Sequence, residues 1–421
     1  MRPTAKNALV AYKRTSAGIL GACTKGAAAR RRLRQKPFAN TEIRESLNMK
    51  AALLGYGTVG RSLDALLAER PACIEITRIF RRPGKTAGDP RMTDDFSSIL
   101  ADPSIDVVVE ALAGEMPAAR FIEEALQAGK HVVTANKAAI APRMKPLLDI
   151  AAEKGVSLGF EASAGGVVPW IANLRRAAAF DRIDRFAGIL NGTGNFIIDR
   201  MSSGLEFNRA LEEAQAKGYA EADPSADIGG ADLANKALVT AAAAFGLAPE
   251  SPRTAVPTAG LEGISLDFMK RAAAAGKIIR FMAFGRCAWD DAGGAPRLAL
   301  GAAPLLLPAD SLEAGTHSNY NLARFWGDVA GPLAFFGQGA GGRPTADALI
   351  ADLLAIAEGR ALRMPALRTA ASDERLLFGT AHFADGTAFT GTFAGAAAAA
   401  KRLRGAKGFM AFEPDEELFL Y

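Results

Sequence analysis

The feature that most constrains this chain is a glycine motif placed between an apolar segment and a helical one. The motif, Gly55–Gly60, reads GYGTVG; it follows the apolar residues 50–54 and precedes the amphipathic residues 61–67. This order is typical of dinucleotide binding, because the first glycine permits a tight turn, the second lets the backbone approach a pyrophosphate, and the third allows close packing. A purely structural turn is the alternative. The predicted dinucleotide contacts are Gly55, Gly57, Thr58, Val59 and Gly60.

Two arginines follow the second predicted strand, at the place where an acidic residue would select NAD by binding the ribose 2′-hydroxyl. The strand is Ile74–Phe80, and Arg81 and Arg82 come directly after it. Because guanidinium groups suit a 2′-phosphate, the pair favours NADP over NAD. The alternative is that both side chains are solvated charges on a loop.

Strand-like and helix-like segments continue to alternate after this point. Asp106–Glu110 and His131–Thr134 are patterns of buried strands, and the helix predicted between them, Ala118–Ala128, ends before Gly129. The alternation predicts an α/β fold with a Rossmann-type, doubly wound parallel sheet.

Length, charge and cysteine content narrow the possible classes of protein. A chain of 421 residues suggests two or three domains. The formal charge is +5, but residues 1–48 hold eleven Lys and Arg against two Glu, so the remainder is mildly acidic. This balance argues against nucleic acid as a partner of the folded part of the chain. No apolar run is long enough to span a membrane, and three isolated cysteines indicate neither a disulfide framework nor a zinc site. We expect a cytoplasmic location.

The basic leader, residues 1–48, shows no hydrophobic periodicity and is predicted to be flexible. Three interpretations are open. The functional chain starts at Met49, directly before the first strand; or the leader is an organelle-targeting peptide; or it is an arm that binds nucleic acid or another anion. We favour the first.

A cluster of acids with one lysine occurs in GYAEADPSADIGGADLANK, which begins at Gly218. Ala231–Phe245 is a run of strong helix formers that ends before Gly246, so Asp232 and Lys236 lie on one helical face. Such a pair is ordinarily a surface ion pair. A dinucleotide-dependent hydride transfer, however, needs a group that donates or accepts a proton at the reacting oxygen and a group that holds the substrate. This stretch has the residue types for both.

Several blocks resemble homoserine dehydrogenases and follow one another in the family's order. They are GKHVVTANKAAIA from Gly129, FEASAGGVVP, GILNGTGNFI, the acidic stretch, AAAAGKIIRFMA and FGQGAGGRPTADALIADL. The resemblance implies NAD(P)-dependent interconversion of L-aspartate 4-semialdehyde and L-homoserine, a step toward threonine and methionine. It also implies a central α+β domain that binds substrate and forms a homodimer or a higher homo-oligomer.

The resemblance assigns roles to individual residues. Lys236 is implied as proton donor and acceptor, Asp232 as an aid to substrate orientation, and Glu221 as the ligand of the substrate's amino group. Further implied substrate contacts are Asp227, Asn191 and Thr193, and further cofactor contacts are Lys137 and Gly339. A monovalent cation such as sodium is also implied, a hard ion that suits oxygen ligands. The ligands of this cation would be Glu161 and the backbone carbonyls of Ala164, Gly166 and Val168.

The domain prediction follows from these assignments. Residues 49–180 form the dinucleotide-binding domain, completed by a helix near 344–357, and 181–343 form the substrate-binding and dimerisation domain. Residues 362–421 form a small α/β appendage with strands at 376–383 and 387–393 and a helix that ends near Gly405.

Two residues depart from the family's usual pattern: Val167 stands where a third glycine is usual, and Gly194 replaces a small polar residue. Changed loops of this kind leave two alternative functions open. One is a related NAD(P)-dependent oxidoreductase that acts on another small aldehyde. The other is a catalytically silent nucleotide-binding sensor.

Overall fold

The protein is described by a computed structural model, which covers residues 49–70, 73–85, 88–290, 292–361, 364, 366–402, 409–415 and 418. The predictions for the leader, residues 1–48, and for the helix end near Gly405 lie outside the described residues.

A six-stranded parallel sheet forms the first half of the described chain, and the predicted doubly wound α/β fold is confirmed. The strand order is β3-β2-β1-β4-β5-β6. The chain therefore reverses its direction of winding between β1 and β4, the place where such sheets bind ligands beyond their carboxyl ends. The strands are β1 Met49–Leu54, β2 Ile74–Phe80, β3 Met92–Thr93, β4 Val107–Glu110, β5 His131–Thr134 and β6 Leu158–Gly159.

Helices follow the parallel strands and bury their apolar stripes against the sheet. In the third of them, the residues that face the core are spaced three and four apart, as an amphipathic helix requires. The fifth ends at Gly155, whose φ of 69° a side chain would disfavour. The bounds are α1 Thr58–Glu69, α2 Phe96–Ala101, α3 Ala118–Gln127, α4 Lys137–Ile140 and α5 Met144–Lys154.

A second, ten-stranded mixed sheet is built from the rest of the chain. Its main path is β12-β11-β7-β9-β10-β16-β14-β15, with β13 and β8 off that path. The strands are β7 Ile183–Ile189, β8 Leu247–Pro249, β9 Lys277–Ala288, β10 Arg297–Pro308, β11 Tyr320–Gly327, β12 Gly331–Gln338, β13 Arg368–Ser372, β14 Phe378–Phe383, β15 Ala388–Thr392 and β16 Phe409–Pro414. The helices are α6 Trp170–Ala178, α7 Gly192–Ser202, α8 Phe207–Ala216, α9 Ser225–Ile228, α10 Ala231–Phe245, α11 Leu266–Ala274, α12 Gly342–Ala357 and α13 Phe393–Arg402.

Helix α12 returns to the first sheet and packs against α1. Its apolar residues Leu349 and Leu353 lie in the same buried cluster as Leu63 of α1. A side chain at Gly342 would meet Ser62 and Thr58, so the start of α12 lies directly on the glycine motif's helix. The helix predicted near 344–357 is thus present and begins slightly earlier, because the first turn of a helix tolerates Pro344.

The C-terminal strands and helix join the mixed sheet. Strand β16 pairs with β10 in parallel at Leu305 and Phe412, and α13 contributes Phe393 to a buried cluster on the sheet's second face. The two predicted strands are present with shorter bounds than predicted, and a helix follows them. In the described part of the chain, no helix combines the length and the apolar character needed to cross a membrane.

Candidate active site

The glycine motif forms the turn that a bound dinucleotide requires. Gly55 has a φ of 97°, and a side chain at Gly60 would collide with the backbone carbonyl of Gly55. Gly57 is different, because space is open around the position of its missing side chain. No side chain caps the start of α1 at Thr58, so its first N–H groups are without a side-chain acceptor from the capping residue. Such a helix N-terminus can bind phosphate.

Three charged side chains converge on α10, and together they form what we call the charge cluster: Lys137, Asp232 and Lys236. The Lys236 ammonium lies 2.7 Å from one carboxylate oxygen of Asp232, and that of Lys137 lies 2.9 Å from the other. Lys236 also donates to the carbonyl of Leu190, at the end of β7, over 2.5 Å. The predicted helical pair is therefore present, but it is buried, with Asp232 6% and Lys236 9% exposed.

The pKa values of the two lysines in the charge cluster are shifted in opposite directions. Burial lowers the pKa of Lys236, and although Asp232 opposes this shift, Lys137 adds to it. Asp232 instead raises the pKa of Lys137. For Asp232, burial pushes the pKa upward, but the two ammonium groups outweigh burial and hold it below the usual value. Lys236 is therefore the lysine that loses its proton more readily.

Polar residues at the start of α7 complete the site. Asn191 caps this helix and donates to Asp232 and to Asp227, each over 2.8 Å. The hydroxyl of Thr193 donates to the carbonyl of Tyr219 over 2.6 Å, which ties α7 to the acidic stretch. Burial and the charge of Asp232 raise the pKa of Asp227. The structure thus brings Asn191, Asp227, Asp232 and Lys236 together as one network.

Glu221 lies apart from that network. It is exposed, and no described residue hydrogen-bonds to its carboxylate. Its charge still contributes to the raised pKa of Lys137, so the carboxylate lies near that lysine. An exposed, unpaired carboxylate at this place is available to a ligand.

The two arginines after β2 lie on the nucleotide side. The Arg81 guanidinium is 5.9 Å from the centre of the Tyr56 ring, within the glycine motif, and Arg82 is exposed. Arg81 therefore borders the glycine turn, and no acidic residue in the described part of the chain forms an ion pair with either arginine.

Comparisons with known proteins agree with this geometry. A family model described as the NAD binding domain of homoserine dehydrogenase matches residues 55–161, and a homoserine dehydrogenase model matches residues 169–354. The homoserine dehydrogenase of Pseudomonas aeruginosa is 36% identical over 318 residues, which are 73% of this chain and 71% of that protein. That of Corynebacterium glutamicum is 35% identical over 73% of this chain and 72% of its own.

The chain belongs to the homoserine dehydrogenase family. A crystal structure of a homoserine dehydrogenase from Thiobacillus denitrificans superimposes with a TM-score of 0.71 at 32% identity, covering 80% of this chain and 82% of that one. The predicted family and reaction are thereby confirmed: the protein is an oxidoreductase, a homoserine dehydrogenase with a nicotinamide dinucleotide as its cofactor.

The family's expected cation segment is close to the glycine loop before α12. The Glu161 carboxylate, 5% exposed, accepts the backbone N–H groups of Ile171 and Ala172 at the start of α6 over 2.9 and 2.6 Å. The carbonyl of Val168 accepts the N–H of Trp170 over 2.7 Å. Burial and the nearby charge of Asp352 raise the pKa of Glu161 to about 7.

The loop that carries Gly339 fits between two neighbours. A side chain at Gly339 would collide with the buried side chain of Asn321, and one at Gly166 would meet the backbone of Gly339. The backbone N–H of Val167 donates to the carbonyl of Gln338 over 3.1 Å. The expected cofactor loop and the expected cation segment are therefore in contact.

The two departures from the family pattern have visible surroundings. At Gly194, a side chain would meet the ring of Phe281 and the amide of Asn191, so this homoserine dehydrogenase has no space for a larger residue there. Val167 is 37% exposed and leaves the charge cluster untouched. Neither departure removes a residue from the polar network.

Two further residues of the site were missed by sequence reasoning. Lys236 bonds to the backbone carbonyl of Leu190. Because any residue supplies such a carbonyl, the identity of Leu190 could not reveal this contact in the sequence. Glu110 is fully buried at the end of β4. Its available signal was a single acid that ends the otherwise apolar strand VVVE.

Proposed function

We propose that the charge cluster performs the proton transfer between homoserine and aspartate 4-semialdehyde, with NADP as the preferred cofactor. The observation that carries this proposal is the buried contact of Lys236 with Asp232 and the Leu190 carbonyl. A lysine whose pKa is lowered by burial is suited to exchange a proton.

In the direction of oxidation, neutral Lys236 accepts the proton of the substrate hydroxyl. The nicotinamide, when bound, supplies the hydride acceptor at the carbon that bears this hydroxyl. Asp232 holds the resulting ammonium of Lys236 in place through their 2.7 Å contact. In the direction of reduction, the same ammonium returns its proton to the aldehyde oxygen.

Substrate is held by polar residues around the cluster. The exposed Glu221 carboxylate is the partner of the substrate's ammonium, and Asp227, with Asn191 and Thr193, shapes the polar wall opposite it. Asn191 already satisfies two carboxylates, so it fixes their positions before substrate arrives. Such preorganisation lowers the cost of binding a charged amino acid.

Cofactor is held by the glycine motif and its neighbours. The predicted backbone contacts from Gly55 to Gly60 suit a pyrophosphate, since the motif combines a positive φ at Gly55 with open space at Gly57. Arg81 and Arg82 are the proposed partners of a 2′-phosphate. Lys137 and Gly339 complete the contacts at the nicotinamide end.

A monovalent cation and a second subunit belong to the same proposal. Glu161 with the carbonyls of Ala164, Gly166 and Val168 is the proposed sodium site, an all-oxygen set that suits a hard cation. A homodimer is supported by strand β12, which is the last strand on its side of the sheet. It exposes Leu333 and Phe336 at 41% and 59%, and exposed apolar patches of this kind mark protein interfaces.

The domain limits 49–180 and 181–343, the assignment of 362–421 as a small α/β appendage and the cytoplasmic location stay predictions. Two alternative functions were left open by the sequence, an oxidoreductase that acts on another small aldehyde and a catalytically silent sensor. The polar network keeps Asn191, Asp227, Asp232 and Lys236, the residues expected from the family, and so favours neither alternative.

Homoserine-dependent reduction of NADP+ and of NAD+ by the purified full chain tests the proposal. We expect turnover with both and a higher kcat/KM with NADP+. Absence of turnover with either cofactor would refute the proposed chemistry, whereas a preference for NAD+ would refute only the role given to Arg81 and Arg82.

A further inference from the structure

A buried carboxylate lies at the carboxyl end of β4, and none of the roles above uses it. Glu110 is 0% exposed and pairs in register with Leu54, directly before the glycine motif. Burial raises the pKa of Glu110. A carboxylate that is removed from water in this way is costly unless hydrogen bonds stabilise it.

Every hydrogen bond between the Glu110 side chain and another described residue is donated to one of its carboxylate oxygens. The backbone N–H of Leu112 donates to Oε1 over 2.7 Å, and the hydroxyl of Thr134 donates to Oε2 over 2.5 Å. The amide of Asn136 adds a longer contact of 3.4 Å to Oε1. Glu110 therefore acts as an acceptor on both oxygens, and it orders the chain at the ends of two neighbouring strands.

Thr134 links Glu110 to Asn136 through a second hydrogen bond. Its hydroxyl oxygen accepts the backbone N–H of Asn136 over 2.9 Å, so its only hydrogen is directed at Glu110. The side chain of Asn136 caps α4 by accepting the N–H of Ala139 over 3.1 Å. It also donates to the carbonyl of Gly114 over 2.7 Å.

Helix α4 begins with Lys137, the residue that reaches Asp232. The helix has four residues and continues through a 3-10 turn into α5, where burial of Ala139 and Ile140 fixes its later part, so the cap at Asn136 chiefly sets the direction of its first turn. The position of Lys137 therefore depends on the hydrogen bonds that hold Asn136. A continuous chain of contacts leads from the buried carboxylate, through Thr134 and Asn136, to the charge cluster.

We propose that Glu110 is a positioning residue for Lys137, and that it acts through Thr134 and Asn136 to hold the Lys137 ammonium against Asp232. The inference rests on the function proposed above for the charge cluster. Glu110 itself touches none of the three cluster residues, so its effect on the reaction passes through α4.

Displacement of Lys137 is expected to change the pKa of Lys236 in one direction. Lys236 faces Asp232, Lys137 and Asp227, of which only Lys137 is positive, and Lys137 lowers the pKa of Lys236. If Lys137 moves away, the pKa of Lys236 rises. Homoserine oxidation needs neutral Lys236, so the acid limb of its pH–rate profile then moves to higher pH.

Two variants test the inference in the full-length enzyme. Glu110→Gln removes an acceptor for Thr134, and Thr134→Val removes the link to Asn136. We expect each to lower kcat for homoserine oxidation about tenfold or more, to move the acid limb to higher pH and to change KM for NADP+ less than kcat. The double variant should be no worse than the stronger single one, because both break one chain of contacts.

Lys130→Met is the matched control. Lys130 is 5% exposed and donates to the carbonyls of Asp102 and Ile105, near the amino ends of the strands of the same sheet. The control should lower the melting temperature and leave the acid limb in place. If Glu110→Gln and Thr134→Val also lower only the melting temperature, Glu110 is merely structural and the inference is wrong.

Lys137→Met separates this inference from the proposed function. Full activity with an unmoved acid limb in Lys137→Met would refute the role of Lys137 itself. Loss of activity in Lys137→Met, together with an unmoved limb in Glu110→Gln and Thr134→Val, would refute only the link to Glu110. If Glu110→Gln does not fold, Thr134→Val decides, since it leaves the Leu112 bond to the carboxylate intact.

Discussion

The charge cluster and the arginine pair are two positively charged regions of one molecule, and they are built in opposite ways. Asp232 and Lys236 are buried, and protein atoms hold both ends of their contact. Arg81 and Arg82 lie on one loop at the surface, where the Arg81 guanidinium lies over the ring of Tyr56. The first region is ordered before any ligand binds, whereas the second is completed by its ligand.

This difference predicts different kinds of failure. A change inside the cluster leaves a buried charge without its partner, which affects both folding and the reaction. A change in the arginine pair removes a charge that water can replace, so the fold is preserved and only the choice of cofactor changes. Substitutions in the two regions should therefore be separable by measurement.

The largest of these effects is expected for Asp232→Asn. The substitution leaves two ammonium groups facing each other, and breaking a buried pair typically costs about 3 kcal/mol of stability. We expect kcat to fall about 100-fold or more. Because Asp232 raises the pKa of Lys236, the acid limb of residual homoserine oxidation should move to lower pH, opposite to the shift expected from displacing Lys137.

Chemical denaturation and the pH dependence of kcat check this prediction. Asn235→Asp adds a carboxylate on the same helix at a half-buried position and serves as the control for a changed helix charge. A stable Asp232→Asn protein with full turnover would mean that the cluster is not the site of proton transfer.

An intermediate effect is expected for Arg81→Ser. A charged hydrogen bond to phosphate is worth about 1.5 kcal/mol or more, so the preference for NADP+ over NAD+ in kcat/KM should fall about tenfold. The melting temperature should stay the same. Arg120→Ser, which removes an exposed arginine with an ion-pair partner on α3, controls for the change in net charge. An unchanged cofactor ratio would place the selection of NADP elsewhere.

The smallest effect is expected for Glu115→Gln. Arg253 and Arg143 lower the pKa of Glu115 to about 2, so this carboxylate stabilises the fold above pH 4.5 and the effect is lost as the pH falls toward 2. Wild type and variant should therefore differ in melting temperature well above pH 4.5 and converge near pH 2, with little change in kcat. An equal difference at both pH values would contradict the ion pairs.

The sequence predicted the elements whose ends carry strong local signals. The bounds of β2, β5 and α10 agree with the structure, because β-branched runs mark the strands and Gly246 ends the helix with a positive φ. Helix α7 was not predicted, since its first residues, NGTGN, have low helix propensity. The cap at Asn191 and burial of the later residues form it instead.

Within the site, spacing predicted the contact of Asp232 with Lys236 but not its burial or its third member. A helical pair looks the same in sequence on a surface and in a core. Lys137 was expected near the active site only from the family resemblance, and its contact with Asp232 depends on how α4 and α10 pack. Glu110 was passed over because a single acid at a strand end has no spacing to interpret.

Lys236→Ala gives the most direct test of the central claim that the buried cluster performs the chemistry while the nucleotide side only binds. In one preparation, NADPH binding and homoserine-dependent reduction of NADP+ should be measured side by side. We predict a dissociation constant within about twofold of the wild type, a difference below about 0.5 kcal/mol, and no measurable turnover. Turnover near the wild-type rate in this variant would contradict the account.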